Sequence, residues 1–153
     1  MANKSYTGIK AIIIAKLSAL QGGDSTDLFA NVYGVNETEP EGSPYCFVVE
    51  KTGGGSILDT HRNEREWQFD IFIQAEINQA RTPEQAYDAL LDAVDRVIQS
   101  FDQDPMLFDE HGQEQCKWVR VVPAEFQFGT QDTGFHRAQL TVAVVDIVNR
   151  YAT

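Results

Sequence analysis

The residues through which this chain would do chemistry are three histidines, two cysteines, a few serines and a short glycine run. His61, His111 and His136 lie far apart, with no i, i+4 pair for one helix face to offer a metal. Neither Cys46 nor Cys116 has a second cysteine at ligand spacing. Each sits in a strand-like stretch, where an isolated cysteine acts as a small buried hydrophobe rather than half of a disulfide. His61, in a polar loop, and His111, beside Glu110, read as solvent-facing. The run GGGS at 53–56 lacks the Lys-Ser/Thr ending of a phosphate-binding loop, and no helix signal follows it. Ser43, Ser56 and Ser100 have no elbow motif to expose a nucleophile beside a histidine. Asp88, Asp92 and Asp95 share a helix face and are hard-cation donors by type, but no glycine-turned ligand loop accompanies them. Trp67 and Trp118 read as core or interface anchors, since no basic residues interleave them as base-stacking platforms. The expectation is no catalytic residue, no metal and no cofactor.

The charge excludes another class. The chain has 153 residues, with 23 acids against 12 bases, for a net charge of −11. Residues 1–23 carry Lys4, Lys10 and Lys16 and no acid, whereas residues 24–59 carry seven acids against Lys51 alone. Such a surface repels a duplex, because phosphate binding needs clustered Lys and Arg. No apolar run approaches the ~20 residues of a spanning helix. The opening MANKSYTG leads directly into a helix-like pattern, so a cytoplasmic product without a signal peptide is expected.

The elements that would position side chains are clearer. Tyr6, Ile9, Ile13, Leu17 and Leu20 recur at helical spacing, predicting a helix over 5–21 ended by Gly22 and Gly23. Leu28–Gly34 and Tyr45–Lys51 read as strands, separated by the acidic loop 35–44. The segment 52–63 reads as a long glycine-rich hairpin tip or arm, because Gly53, Gly54 and Gly55 disfavour a strand interior. In the strand that follows, Trp67, Phe69, Ile71, Ile73 and Ala75 fall on one face. Glu66, Gln68, Asp70 and Gln74 fall on the other, where only Phe72 breaks the polar pattern.

A second helix starts at the N-cap Thr82, with Pro83 in its first turn and Gln85 completing a capping box. Its apolar stripe is Ala86, Tyr87, Leu90, Leu91, Val94, Val97, Ile98 and Phe101. After a loop at 102–115, Cys116–Val122 and Phe126–Phe128 read as strand pieces broken at Pro123, which marks an edge or a bulge. Arg137–Val148 is the last strand. The expected architecture is a single α+β domain over 1–153. A mixed, mostly antiparallel sheet carries two helices on one face and a long glycine-rich loop.

This layout resembles one family. The strand Glu64, Arg65, Trp67, Phe69, Ile71, Ile73 is followed by a YDALLDAVDRVI helix and a DP-x-L loop (Asp104, Pro105, Leu107). A W-x-R-V strand and a final R-x-Q-L-x-V-x-V-x-D strand complete it. Over roughly residues 5–150 the order is similar to that of the tail terminator proteins of long-tailed bacteriophages, and more loosely to head–tail joining and neck proteins. The resemblance implies a structural virion protein without enzymatic activity. It would form a ring, commonly a hexamer, that caps the finished tail tube, stops its polymerisation and offers a docking surface to the head connector. Its partners would be further copies of itself, the tail tube protein and the head-completion protein. DNA would pass through without specific binding, and no membrane would be involved. Its place would be the head-proximal end of the tail, after assembly in the host cytoplasm.

On that reading, the segment holding Gly53, Gly54, Gly55, Ile57 and Leu58 would reach neighbours, with Phe108 as a further apolar anchor. Channel-lining acids would be Glu37, Glu39 and Glu41 or, alternatively, Asp88, Asp92 and Asp95. Sequence does not choose between these two sets. The rival readings are a head–tail connector or tail completion protein and, from another class, a small cytoplasmic α+β enzyme or ligand-binding domain. The latter would place its site on loops 52–63 and 108–114.

Overall fold

A computed structural model describes residues 5–23, 26–35, 43–51, 55–57, 62–107, 111–130 and 132–149. The chain is an α+β domain with elements α1 (Tyr6–Ser18), β1 (Asn31–Tyr33), β2 (Tyr45–Lys51), β3 (Gly55–Ile57), β4 (Arg62–Glu76), α2 (Pro83–Asp102), β5 (Trp118–Gln127) and β6 (Phe135–Asn149). The strands form one mixed sheet in the order β1-β2-β4-β6-β5, with β3 also paired to β4. Among the described strands, only β1 and β2 run parallel.

The period-two pattern of β4 decides the layering. Trp67, Phe69, Ile71, Ile73 and Ala75 are buried, and their cross-strand partners Val144, Val142, Leu140 and Ala138 are buried with them. Cys46 and Val48 of β2 and Val119 and Val121 of β5 complete this inner face. Both helices close it. α1 contributes Ile9, Ile13 and Leu17, and α2 contributes Ala86, Leu90, Ala93, Val94, Val97 and Phe101. Both cysteines are buried and free.

Several expectations need correcting in detail. α1 stops at Ser18 with Ala19 as a right-handed C-cap, short of Gly22 and Gly23. The chain is needed elsewhere: Gln21 bridges to Asp27, and Leu28 N–H donates to Leu20 O. The segment 52–63 is not one long loop. Gly55–Ile57 pairs with Arg65–Asn63, and β4 already begins at Arg62. Gly55 is therefore strand, because a glycine costs little where a neighbouring ladder satisfies its backbone. Between Lys51↔Gln68 and Gly55↔Arg65 the register against β4 slips by one residue. Leu91 flanks the stripe of α2 and is only half-buried, whereas Leu90 is fully buried. The two pieces around Pro123 are one strand with a register shift between Pro123 and Glu125.

α2 is capped as its sequence specifies. Thr82 Oγ1 accepts from Gln85 N–H at 3.3 Å, and Thr82 N–H donates to Gln85 Oε1 at 3.0 Å. The DP-x-L loop behind it is a staple. Asp104 pairs with Lys16 of α1 at 2.9 Å, Pro105 O accepts from Val119 N–H at 2.7 Å, and Leu107 is buried.

Candidate functional site

β5 is the site-forming element. It lies at the edge of the sheet, so among the described residues one side of its backbone ladder has no strand beside it. Up to Val121 it alternates regularly. Val119 and Val121 face the helices, while Trp118, Arg120 and Val122 face the uncovered side. The bulge then inverts the alternation. Pro123 sits opposite Leu140, yet Glu125 already sits opposite Gln139 and Phe126 opposite Ala138. A bulge re-aims every side chain beyond it, and proline, which donates nothing to a ladder, is at home there. Without the shift, Phe126 and Phe128 would fall on the open face. With it they turn toward the first turn of α2, and Glu125 and Gln127 turn toward Arg137.

The result on the helix side is an exposed aromatic corner. Phe126 and Phe128 stack at 6.1 Å between ring centroids, and Phe128 meets Tyr87 at 5.1 Å. Phe128 is 57% exposed, Tyr87 38% and Phe126 37%. Clustered exposed aromatics at an open strand edge mark an interaction surface. Buried His136 fixes the corner from below. Gly129 N–H donates to His136 Nδ1 at 2.9 Å, which leaves the proton on Nε2, and Nε2–H donates to Pro83 O at 2.8 Å. One neutral imidazole thus joins β6, the end of β5 and α2. A side chain at 129 has no room: a Cβ there would lie 2.1 Å from Phe135 O.

The open face of the sheet has its own centre. The Arg137 guanidinium lies over the Phe72 ring at 4.1 Å, which explains the one apolar residue on the polar face of β4. Partial burial draws the Arg137 pKa below its usual value. A cavity of about 70 Å3 adjoins it, lined by Phe72, Glu125, Gln127, Arg137 and Gln139. Beside it, the Tyr45 hydroxyl donates to Gln74 Oε1 at 2.6 Å, and burial pushes that phenol's pKa up. A second, shallower cavity of about 370 Å3 lies between the α1–β1 connection, Ser43–Pro44 and α2. It holds Asp27, Arg81 and Asp92. Ser43 Oγ there accepts from Glu76 N–H at 2.9 Å.

Neither cavity brings a serine or cysteine to a histidine. Complete burial pushes the Cys46 thiol far above its ordinary pKa, the opposite of an activated nucleophile. Among the described residues no three His, Cys, Asp or Glu side chains gather as a metal site. No helix formed by them is long and apolar enough to cross a membrane.

Of the residues singled out from sequence, Asp88 and Asp95 are exposed on α2, and Asp92 is paired with Arg96 at 2.9 Å. Gly55 and Ile57 lie in β3 on the hairpin with β4. Glu37, Glu39, Glu41, Gly53, Gly54, Leu58 and Phe108 lie outside the described residues. Sequence reasoning missed the corner of Tyr87, Phe126 and Phe128, because Tyr87 fits the core stripe of α2, and Pro123, though it marked an edge or a bulge, did not say which way the residues beyond it turn. It noticed Phe72 but not its partner Arg137. Neither a protein-family model nor a curated protein sequence matches the chain.

Proposed function

We propose that the chain is a ring-forming tail terminator of a long-tailed bacteriophage. It caps the finished tail tube, halts its growth and offers its other surface to the head-completion protein. One observation carries the reading: β5 is a ten-residue open edge with aromatic side chains exposed on both of its faces. Phe126 and Phe128 stand on the helix side, and Trp118, 41% exposed, stands on the other. A monomer guards such an edge, whereas a ring subunit uses it. The second support is the reach of β4 and β6, which pair over all fifteen residues. They run past β2 and β5, and β3 lies beside their far end. On this reading the Gly55–Ile57 strand, beside that end of the ladder, is where a subunit would meet a neighbour or the tube.

The negative charge suits a channel that DNA traverses without sticking. The test is assembly on purified tail tubes followed by electron microscopy. A terminator adds a ring at one tube end and stops elongation when mixed with tube protein. If tubes elongate unchanged and carry no added density, the assignment fails. Binding to capsid connectors alone would replace it with a neck protein.

A further inference from the structure

We propose that Arg137 and Phe72 form a carboxylate-binding subsite on the open sheet face, and that a second copy of this chain fills it from the acidic outer face of its α2. The inference rests on the self-assembly reading above and names its seam.

The subsite is built before any ligand arrives. Phe72 lies beneath the guanidinium at 4.1 Å and holds its plane. Arg137 Nε is buried and has no hydrogen-bond partner among the described residues, nor does any ion pair form there. Glu125 lines the same cavity, but its carboxylate takes the Gln127 amide at 3.4 Å instead. Glu125 therefore reaches Arg137 only through its field, and a partly desolvated planar guanidinium with no carboxylate in hydrogen-bond contact is best satisfied by one held two-pronged. The adjoining 70 Å3 has room for a carboxylate head group. The side-chain amides of Gln127 and Gln139 complete the lining.

The occupant follows from charge complementarity. In a chain of net charge −11, copies repel unless acid meets base. Asp88 and Asp95 stand two turns apart on the exposed face of α2, with no hydrogen bond or ion pair among the described residues, while Asp92 is already taken by Arg96. Leu91 and Ile98, both only half-buried, follow them at three-residue steps. The stripe is acidic and apolar in turn, matching a face that offers Arg137 with Phe72, Trp118 and Val122. Two different surfaces meeting head to tail generate a ring rather than a closed dimer.

The test is sedimentation velocity on the full chain in four forms: wild type, Arg137→Glu, Asp88→Arg with Asp95→Arg, and all three changes together. Thermal unfolding of each confirms the fold. The helix changes are at exposed positions and leave it intact. Wild type is expected to assemble. Each charge-reversed form should weaken assembly at least tenfold, and the combined form should restore it. Were wild type to assemble and both partial variants to match it, the subsite would be overturned while the ring stood. Loss in both without restoration by the combined form would overturn the Arg137–α2 pairing. No assembly of wild type, free or on tail tubes, would bring down the ring reading itself and this seam with it.

Discussion

The two faces of the sheet are organised on different principles. Under the helices, Phe69, Ile71, Ile73, Leu140 and Leu90 are fully buried, and no charge lies among them. On the other face Gln68, Asp70, Gln74, Thr141 and Arg137 make directional polar contacts beside a smaller buried set, Tyr45, Phe47, Ala143 and Val145. Thr141 Oγ1 donates to Asp70 Oδ1 at 3.2 Å, and Tyr45 binds Gln74. The first face holds the domain together through area removed from water, which is large and insensitive to detail. The second buries less apolar area and holds its side chains in set positions through directional contacts. The β5 bulge joins the two, sending phenylalanines to one side and Glu125 with Gln127 to the other.

The comparison breaks most visibly at the covered face. Leu90→Ala should cost about 2–5 kcal/mol in chemical denaturation, as a large-to-small change in a closed core does. Leu91→Ala, one position round the helix and half-buried, should cost about 1 kcal/mol. Equal losses at the two positions would contradict the face assigned to α2.

Next in size is the joint between the faces. His136→Ala leaves Gly129 N–H without its acceptor and should cost roughly 1–3 kcal/mol. Hydrogen exchange should quicken at Gly129 and in the first turn of α2 while the centre of β4 stays protected. Uniform loss of protection would show His136 to be plain core filling.

How far the sequence showed this division depended on the physics of each part. Alternation in β4 and β6 is a repeated signal, so the covered face and both helices could be read directly. Thr82 and Gln85 form a local motif and were equally plain. The joint was not readable. A bulge adds one residue and leaves no compositional mark beyond Pro123, so the facing of Phe126 was hidden. Tyr87 has helical spacing with the core residues, yet only the position of α2 over the sheet edge decides that its ring stays outside. Arg137 and Phe72 meet across neighbouring strands 65 positions apart in the chain, and nothing local announces such a pair.

The smallest effect lies at the rim of α1. Lys10 donates to Glu50, and this hydrogen bond holds the Glu50 carboxyl below its usual 4.5. A carboxyl depressed in the folded state adds stability that is fully present above about pH 4.5 and is lost as pH falls through the lower folded value. Glu50 is half exposed, so screening limits the pair to about 0.5 kcal/mol. The difference in urea midpoint between wild type and Glu50→Gln should be measurable at pH 7 and shrink as the pH is lowered through the acid range. A gap that persists in acid would place its origin elsewhere.

The claim that the exposed corner and edge of β5 build a ring is tested most directly by native mass spectrometry of wild type beside Phe128→Asp. Phe128 is 57% exposed, so its replacement gives up ring contacts with Tyr87 and Phe126 at a cost to the monomer of about 1 kcal/mol, which leaves it folded. Wild type should appear as one closed oligomer, six copies by the family resemblance, and Phe128→Asp as a folded monomer. Wild type that stays monomeric at high concentration and on tail tubes, or a Phe128→Asp oligomer as stable as wild type, would contradict the account.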